Sequence, residues 1–331
     1  MSKKFGLLIG INYIGTDYEL SGCINDIIMM RKYLLEKRGY LESNITVLRD
    51  DAKNFVNPTK LNIVNAIKSI ISKANSTNAT EIFIHYSGHG TSDKDRNKDE
   101  KDGYDELIVG KDLQLILDDD LRTILSSLNN NTICYFIMDC CHSASNLDLP
   151  YIYSYENNVT KLIENNSSTY KNLVNKNIIC ISGCKDNQTS EDAYNVYQVY
   201  NGPNKLFSVS KNNLNGGALT SSLLKIVNNN SASLINIFGQ LVTNVLRDGY
   251  EQIPMMSISK DVNLLKNIKA FDKRAGELIE LKRKSIKVNN LKNKKNNKMK
   301  KIKMPVNTKK PNKTTKVFKT VNKNIKKVKN H

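Results

Sequence analysis

The sequence contains no long apolar segment. Its hydrophobic runs all fall short of the roughly 20 apolar residues that a membrane-spanning helix needs. The N-terminal run Phe5–Ile11 is broken at Asn12, too early for the core of a secretory signal. These absences argue against an integral membrane protein and a secreted one. We therefore expect an intracellular protein without a membrane partner, located in the cytoplasm, with the nucleus as the alternative that its basic C-terminus suggests.

Paired cysteine motifs are also lacking. No Cys-x-x-Cys pair occurs among the six cysteines, and in a chain of 331 residues for which we expect no signal peptide they do not suggest a disulfide scaffold. Cys134 and Cys180 lie inside apolar runs, so we expect them to be small buried hydrophobic residues. Cys140, Cys141 and His142 are consecutive, and adjacent side chains on an extended segment point in opposite directions. They cannot easily form three corners of a tetrahedron, so no structural zinc is expected.

Acidic residues are absent from residues 281–331. This segment holds 20 Lys and Arg, whereas the first 280 residues hold 30 basic and 32 acidic side chains and are near neutral. Because the segment is rich in Asn and Thr and poor in apolar residues, it is predicted to be a disordered tail. Its charge predicts weak, salt-dependent, nonspecific binding of polyanions. The alternative is a solvated tail that only reflects biased composition, and with Phe318 as its one aromatic residue we expect no base-specific recognition.

Strand-like runs alternate with helical runs along the remainder of the chain. This order predicts an α/β fold with a mostly parallel six-stranded sheet and helices on both faces. The predicted strands lie at residues 5–12, 44–48, 81–84, 133–138, 177–182 and 253–258, and the predicted helices at 23–37, 59–74, 121–128, 218–227 and 234–246.

Two short polar stretches each follow a predicted buried strand. His85–Gly90 follows the run Glu81–Ile84, and Asp139–Ser143 follows the run Ile133–Met138. The carboxyl ends of parallel strands meet at one edge of a sheet, where ligands bind and chemistry takes place. A His on one such loop and a Cys on another is the pattern of a cysteine nucleophile with its general base.

His89 and Cys141 are the candidate dyad. A thiol with a pKa of about 8.5 is only partly ionised at neutral pH, and a neighbouring imidazole favours the thiolate. The backbone N–H groups of Gly90 and Cys141 are the candidate oxyanion donors. We expect His85, within the strand, to be a buried core imidazole and His142 to point away from the nucleophile. The alternative is that the dyad residues are loop residues of an inactive relative.

Seven motifs, in this order, resemble the metacaspase family over roughly residues 4–260. The resemblance implies a caspase-like α/β fold and a calcium-dependent cysteine endopeptidase that cleaves proteins or peptides after Arg or Lys. It implies that His89 is the base and that Cys141, rather than Cys140, is the nucleophile; Ala144 departs from the family's usual Gly. The motifs are Gly22–Asp26, His85–Gly90, Asp102–Glu106, Asp139–Ser143, Leu147–Tyr151, Ile181–Thr189 and Gly217–Thr220.

A pocket for a basic substrate side chain is implied by the same resemblance. Asp26, Ser87 and Asp139 match the family's pocket residues, and Cys23, three residues before Asp26, would line the same wall if a helix starts here. Carboxylates in a confined cleft suit an Arg guanidinium, which pairs with them through two hydrogen bonds. For Asp26 the alternative is an ordinary acid at a helix start.

Calcium is the cofactor that the resemblance implies. Asp105, Asp118, Asp119 and Asp148 match the family's calcium ligands, although the assignment within residues 118–120 is uncertain by one place. Calcium prefers about six to eight oxygen ligands, which clustered carboxylates on loops provide. The alternative for the three consecutive Asp residues is an N-terminal cap of the following helix, a role compatible with metal binding.

The domain organisation follows from the resemblance and the composition. The core is similar to that of prodomain-bearing metacaspases. Because the first predicted strand begins near residue 5, we expect no prodomain, and we expect a monomer. The expected parts are a peptidase domain (1–263), made of a large-subunit-like part (1–150), an exposed loop (151–176) and a small-subunit-like part (177–263), then a helical extension (264–280) and the basic tail (281–331).

Lys161, Lys171 and Lys176 are candidate self-cleavage sites, because they lie in the expected loop and carry a side chain that the basic pocket would accept. The competing function is a catalytically silent caspase-like scaffold that binds partners or polyanions through its tail.

Overall fold

The computed structural model describes residues 3–94, 104–140, 147, 149–156, 159–164, 173–183, 192–193, 216–229, 233–250 and 252–259, which contain both strands and helices. In these ranges no helix is long and apolar enough to cross a membrane. The elements are β1 (Lys4–Gly10), α1 (Cys23–Glu36), β2 (Ile45–Arg49), α2 (Lys60–Thr77), β3 (Glu81–Ser87), β4 (Gly90–Lys94), β5 (Tyr104–Val109), β6 (Leu115–Leu117), α3 (Asp118–Ser126), β7 (Ile133–Asp139), β8 (Tyr151–Glu156), β9 (Val159–Glu164), β10 (Asn177–Ser182), β11 (Asp192–Ala193), β12 (Gly216–Gly217), α4 (Ala218–Asn229), α5 (Leu234–Arg247) and β13 (Met255–Ile258).

Eight of these strands form the central sheet, in the order β2-β1-β3-β7-β10-β13-β8-β9. The first five strands in that order are parallel, and β13, β8 and β9 join in antiparallel pairs. The prediction of an α/β fold with a mostly parallel sheet is confirmed. The predicted strand number of six is wrong, because β8 and β9 arise from a segment that was expected to be a loop.

The segment 151–176, predicted to be an exposed loop, begins with a β-hairpin. Tyr153 is 4% exposed and lies opposite Met256 of β13, within the core on that side of the sheet. The alternation of Tyr151, Tyr153 and Tyr155 is the period of a strand. The Asn-rich composition around it hides that pattern, and the pairing partner β13 lies too far along the chain for local sequence to reveal it.

Helices cover both faces of the sheet. Phe83 of β3 packs into a cluster with α1, α4 and α5, whereas its neighbour Ile84 packs with α2 and α3 on the other face. Successive strand residues point to opposite faces, so a strand covered on both sides is buried along its whole length, as β3 and β7 are. Cys134 and Cys180 are buried as predicted, and burial raises the pKa of the Cys180 thiol to about 12.

A buried ion pair holds the amino end of β3. The Arg38 Nη2 atom donates to both carboxylate oxygens of Glu81 at 2.7 Å, and the Tyr40 hydroxyl donates to Glu81 Oε1 at 2.6 Å. Arg38 and Glu81 are fully buried, and the Arg38 guanidinium lies 5.3 Å from the centre of the Tyr135 ring. A charge buried this deeply is tolerated because its partner and its hydrogen bonds replace water. The pair anchors β3 at the end opposite to the polar loop that follows Ser87.

We expect Glu81→Gln to lower the free energy of unfolding by about 3 to 5 kcal/mol, because it leaves the Arg38 charge buried without its counter-charge. The matched control is Asp51→Asn, which breaks the Arg49–Asp51 pair nearer the surface and should cost less than about 1 kcal/mol. Urea denaturation of both variants measures the difference. Equal losses in the two variants would contradict a special role for the buried pair.

Candidate active site

The carboxyl ends of β3 and β7 lie side by side and bring the two polar loops together. Ser87 and Asp139, the last residues of these strands, are paired in register, and the Gly88 N–H donates to the Asp139 carbonyl at 3.3 Å. The predicted meeting of the two loops is confirmed for these residues. Cys141 and His142 lie outside the described residues, while Cys140, which ends the described part of the second loop, is 1% exposed.

The imidazole of His89 is oriented by a backbone carbonyl. Its Nε2 lies 2.8 Å from the Tyr18 carbonyl oxygen, and its ring packs on the Tyr13 ring with centroids 4.6 Å apart. A carbonyl oxygen can only accept, so the proton of the neutral imidazole is on Nε2 and the lone pair is on Nδ1. His89 is therefore prepared to act as a base through Nδ1. Sequence reasoning missed the Tyr18 carbonyl, because every residue has one and no residue type marks it.

Gly90, the predicted oxyanion donor, is the first residue of β4 and is paired with Ile108 of β5. The N–H of Val109, also on β5, donates to the His89 carbonyl at 3.2 Å. The segment after His89 is thus fixed by a small antiparallel sheet. Since the second expected donor, the Cys141 N–H, is outside the described residues, the oxyanion assignment stays a prediction.

Asp26 is fully buried in the first turn of α1. The Ser87 hydroxyl donates to its Oδ2 at 2.7 Å, and the Gly217 N–H lies 2.8 and 3.0 Å from its two oxygens. Asp26 does lie at a helix start, but its carboxylate also binds groups from β3 and β12, so the helix-start alternative is incomplete. Cys23 begins the same helix one turn earlier and is 5% exposed. Asp26, Ser87 and Cys23, predicted to line one pocket, lie in one region.

Asp139 is joined to α4. It is 5% exposed, and the Thr220 N–H donates to its Oδ2 at 2.8 Å. The Thr220 hydroxyl in turn lies 3.0 Å from His85 Nε2. Burial lowers the pKa of His85 to about 3, so this imidazole is neutral at ordinary pH. The prediction that His85 is a buried core residue is confirmed, whereas the role of Thr220 was missed, although it ends a motif that the sequence shows.

Gly217 lies between the two carboxylates. A Cβ at this position would overlap the Asp139 carboxylate, and one at Gly216 would lie 2.9 Å from Asp26 Oδ1. These two glycines form β12, which pairs with β11. Only a residue without a side chain allows the backbone to come so close to both acids. The sequence indicates a motif here but not the reason for its glycine.

Asp118 and Asp119 begin α3 directly after β6. Asp118 is 1% exposed and its Oδ1 accepts the Asp119 N–H at 2.7 Å, while Asp119 forms an ion pair with Arg122. The capping position of α3 belongs to Leu117, and the three acids occupy the first turn instead. None of the three acids is therefore the N-terminal cap, so that alternative is wrong. Acids in the first turn do still interact favourably with the helix dipole.

Backbone pairing places Asp105 near this helix start. Leu107 of β5 is paired with Leu117 of β6, and Asp105 precedes Leu107 by two residues on the strand that runs past the beginning of α3. The Asp105 side chain and the whole of Asp148 lie outside the described residues. Among the side chains that are described, no three His, Cys, Asp or Glu residues form a metal cluster. The calcium assignment stays a prediction.

The candidate self-cleavage lysines are not on an exposed loop where the structure describes them. Lys161 lies within β9, and Lys171 lies outside the described residues. Lys176 is half-buried, its Nζ donates to the Leu128 carbonyl at 2.7 Å, and burial lowers its pKa. Cleavage at Lys161 or Lys176 would first require these residues to leave their hydrogen bonds.

Comparison with known proteins shows which family the chain resembles. A family model described as metacaspase, peptidase C14 domain, matches residues 4–150. Metacaspase-1 of Schizosaccharomyces pombe is 32% identical over 311 residues, covering 79% of this chain and 69% of the relative. Metacaspase-1 of Scheffersomyces stipitis is 30% identical, covering 79% of this chain and 72% of the relative.

A solved structure shares the fold. The crystal structure of a Geobacter sulfurreducens protein superposes with a TM-score of 0.52 at 23% identity, covering 82% of this chain and 98% of that one. At this level of identity the likeness concerns the fold alone.

We expect Gly217→Ala to lower peptidase activity at least about tenfold. The new methyl group would overlap the Asp139 carboxylate, so either β12 or that carboxylate must move, and a misplacement of about 1 Å is enough to slow a reaction. Gly239→Ala is the matched control, since nothing lies within 4 Å of its added Cβ and α5 should gain slightly from Ala. Initial rates and thermal unfolding of the two variants test this. Full activity of Gly217→Ala would show that the close approach is unnecessary.

Proposed function

The chain belongs to the metacaspase family of cysteine peptidases, and from that premise we propose that it cleaves peptide bonds after Arg or Lys under the control of calcium. The observation that carries the proposal is the pair of buried carboxylates, Asp26 and Asp139, on either side of Gly217 at the end of the sheet that bears His89. Family membership supplies the reaction type, and these two acids supply the preference for a basic side chain.

The reaction follows from the orientation of His89. Its Nδ1 takes the thiol proton of Cys141, and the thiolate attacks the carbonyl carbon of the scissile bond. The electron pair of the C=O bond moves to oxygen, where the N–H groups of Gly90 and Cys141 would stabilise it. When the intermediate collapses, the C–N bond breaks and the imidazolium returns its proton to the leaving amine. Water then hydrolyses the thioester with His89 as base, and the Tyr18 carbonyl stabilises each imidazolium because it faces Nε2.

Charge decides which side chain the pocket accepts. An Arg guanidinium offers planar donors that match carboxylates, and a Lys ammonium offers a single positive charge. An acidic side chain would meet repulsion from Asp26 and Asp139 and would lose its hydration without compensation. Hydrogen bonds from Ser87, Gly217 and Thr220 hold the two carboxylates in place before a substrate arrives. Such preorganisation reduces the ordering cost of binding.

Calcium fits the chemistry of the expected ligands. All four are carboxylates, which are hard oxygen donors, and Asp118 is already buried at the start of α3. Asp105, Asp118 and Asp119 would hold the ion together with Asp148. Bound calcium would neutralise the repulsion among these carboxylates. Among the three consecutive acids Asp118 is the buried one, so it is the ligand that the described residues favour.

Matched fluorogenic peptides ending in Arg, Lys or Asp, each titrated with calcium, test the proposal, with Cys141→Ala as the inactive control. We expect Asp139→Asn to lower kcat/KM for the Arg peptide about 10- to 100-fold, the size of one charge-assisted hydrogen bond. Asp248→Asn, a surface acid paired with Lys225, should have no effect.

Cleavage after Asp would overturn the assignment of the pocket. Absence of cleavage in wild-type protein that folds normally would favour the competing function, a silent scaffold. The basic segment 281–331 lies outside the described residues, so its binding of polyanions stays a prediction.

Asp118→Asn should raise the calcium concentration for half-maximal activity about 10- to 100-fold, because one charged ligand is lost. Calorimetric titration of the inactive Cys141→Ala protein, with and without Asp118→Asn, measures calcium affinity independently of catalysis. Asp112→Asn, whose Oδ1 accepts the Lys60 N–H in a nearby turn, is the acidic control that should change neither value. Unchanged affinity in Asp118→Asn would remove this residue from the site.

A further inference from the structure

We propose that Tyr13 and Tyr86 are positioning residues for His89, whose two backbone polar groups are both held by their hydroxyl groups. The proposal rests on the proposed role of His89 as the general base. It does not depend on calcium or on the preference for Arg or Lys.

The contacts on either side of His89 are short and direct. The His89 N–H donates to the Tyr13 hydroxyl oxygen at 3.0 Å, and the Tyr86 hydroxyl donates to the His89 carbonyl at 2.6 Å. The two hydroxyl oxygens lie 3.1 Å apart. Two side-chain hydroxyls therefore bind the backbone of one residue, one at its N–H and one at its carbonyl.

The two tyrosines connect His89 to rigid parts of the fold. The Tyr13 hydroxyl lies 2.7 Å from the Val109 carbonyl, and the Tyr86 hydroxyl lies 2.9 Å from the same oxygen. Val109 ends β5, and Tyr86 is a fully buried residue of β3. The two hydroxyls therefore connect the backbone of His89 to both β3 and β5. These bonds fix the backbone of His89, and its imidazole is held separately by the Tyr13 ring and the Tyr18 carbonyl.

Two positions in the chain accept a conformational restriction that makes this arrangement possible. Tyr13 has a φ of 53°, in the left-handed region that bulky residues rarely adopt. A Cβ on Gly88 would lie 2.7 Å from the Tyr86 hydroxyl and 3.1 Å from that of Tyr13. The strained backbone of Tyr13 and the absence of a side chain at Gly88 both allow the two hydroxyls to reach the backbone of His89. Strain that persists in a native fold is often found at functional sites.

The loop that carries Tyr13 is itself anchored. Asp50 accepts the N–H groups of Asn12 and Ile14 at 3.0 and 3.1 Å, one on each carboxylate oxygen. Lys111 Nζ donates to the Ile14 carbonyl at 2.6 Å and lies 3.5 Å from Asp50. Further along the same loop is Tyr18, whose carbonyl binds His89 Nε2. One anchored loop thus orients both the backbone and the ring of His89.

Burial keeps both hydroxyls able to donate. It raises the pKa of Tyr13 and of Tyr86 well above the usual value, so neither ionises in the range where a cysteine peptidase works. The titratable groups facing this pair are His89, Cys23 and Cys140, with Asp50 and Lys111 at the base of the loop.

The test is Tyr13→Phe, which keeps the ring on His89 and removes only the hydroxyl. Tyr40→Phe is the matched control, since it removes a buried hydroxyl bonded to Glu81 at the opposite end of the sheet. We expect Tyr13→Phe to lower kcat about 10- to 100-fold, with KM changed by less than about twofold. Tyr40→Phe should lose stability without losing kcat.

Tyr86→Phe provides a second variant, in case Tyr13→Phe does not fold. Its kcat should fall less, because the Val109 N–H still donates to the His89 carbonyl at 3.2 Å. Full kcat in both folded variants, or losses no larger than in Tyr40→Phe, would overturn the proposal.

A second measurement separates positioning from substrate preference. The rate at which iodoacetamide alkylates Cys141, located by mass spectrometry, reports the thiolate as a function of pH without calcium or substrate. In Tyr13→Phe we expect this profile to move upward, toward that of an isolated thiol with a pKa of about 8.5. An unchanged profile would overturn the positioning role. A shifted profile in a protein that fails to cleave after Arg or Lys would leave it standing and overturn only the proposed specificity.

Discussion

The parallel pairing of β3 with β7 is the constraint on which the site depends. Ser87 lies opposite Asp139 in this register, and the loops that follow begin at the same edge of the sheet. A slip of one residue would turn every side chain of β7 to the other face, removing Asp139 from α4 and from Gly217. The apolar residues of both strands, packed on helices at each face, resist such a slip, so ordinary core packing sets the alignment of the catalytic loops.

The second half of the domain supplies hydrogen bonds to the acidic residues that the first half contributes to the site. Asp26, Ser87, His89 and Asp139 all come from the first 140 residues, yet the donors to the two carboxylates include Gly217 and Thr220, at the start of α4. This short segment donates to both carboxylates through backbone N–H groups, so its contribution depends on shape more than on side-chain chemistry. Glycine at 217 permits the close approach, and the helix that follows holds it in position.

Motifs with side-chain chemistry could be predicted from the sequence, whereas backbone contributions could not. The alternation of strands and helices predicted the parallel part of the sheet, and the polar residues after β3 and β7 predicted the position of the site. The Tyr18 carbonyl, the N–H groups of Gly217 and Thr220, and the β8–β9 hairpin all depend on contacts between distant segments. Such groups occur at every residue, so only the folded structure distinguishes the ones that matter.

The hydrogen bond between Asp26 and Gly217 also affects when the site can assemble during synthesis of the chain. The two residues are 191 positions apart, and synthesis runs from the N-terminus, so β1, β3 and β7 leave the ribosome long before Gly217 has been added. Closing so long a loop has an entropic cost, and the contact cannot form before the second half of the chain is available. A partly synthesised chain therefore carries His89 and both acids without the glycine that joins them, and the order of translation itself delays completion of the site.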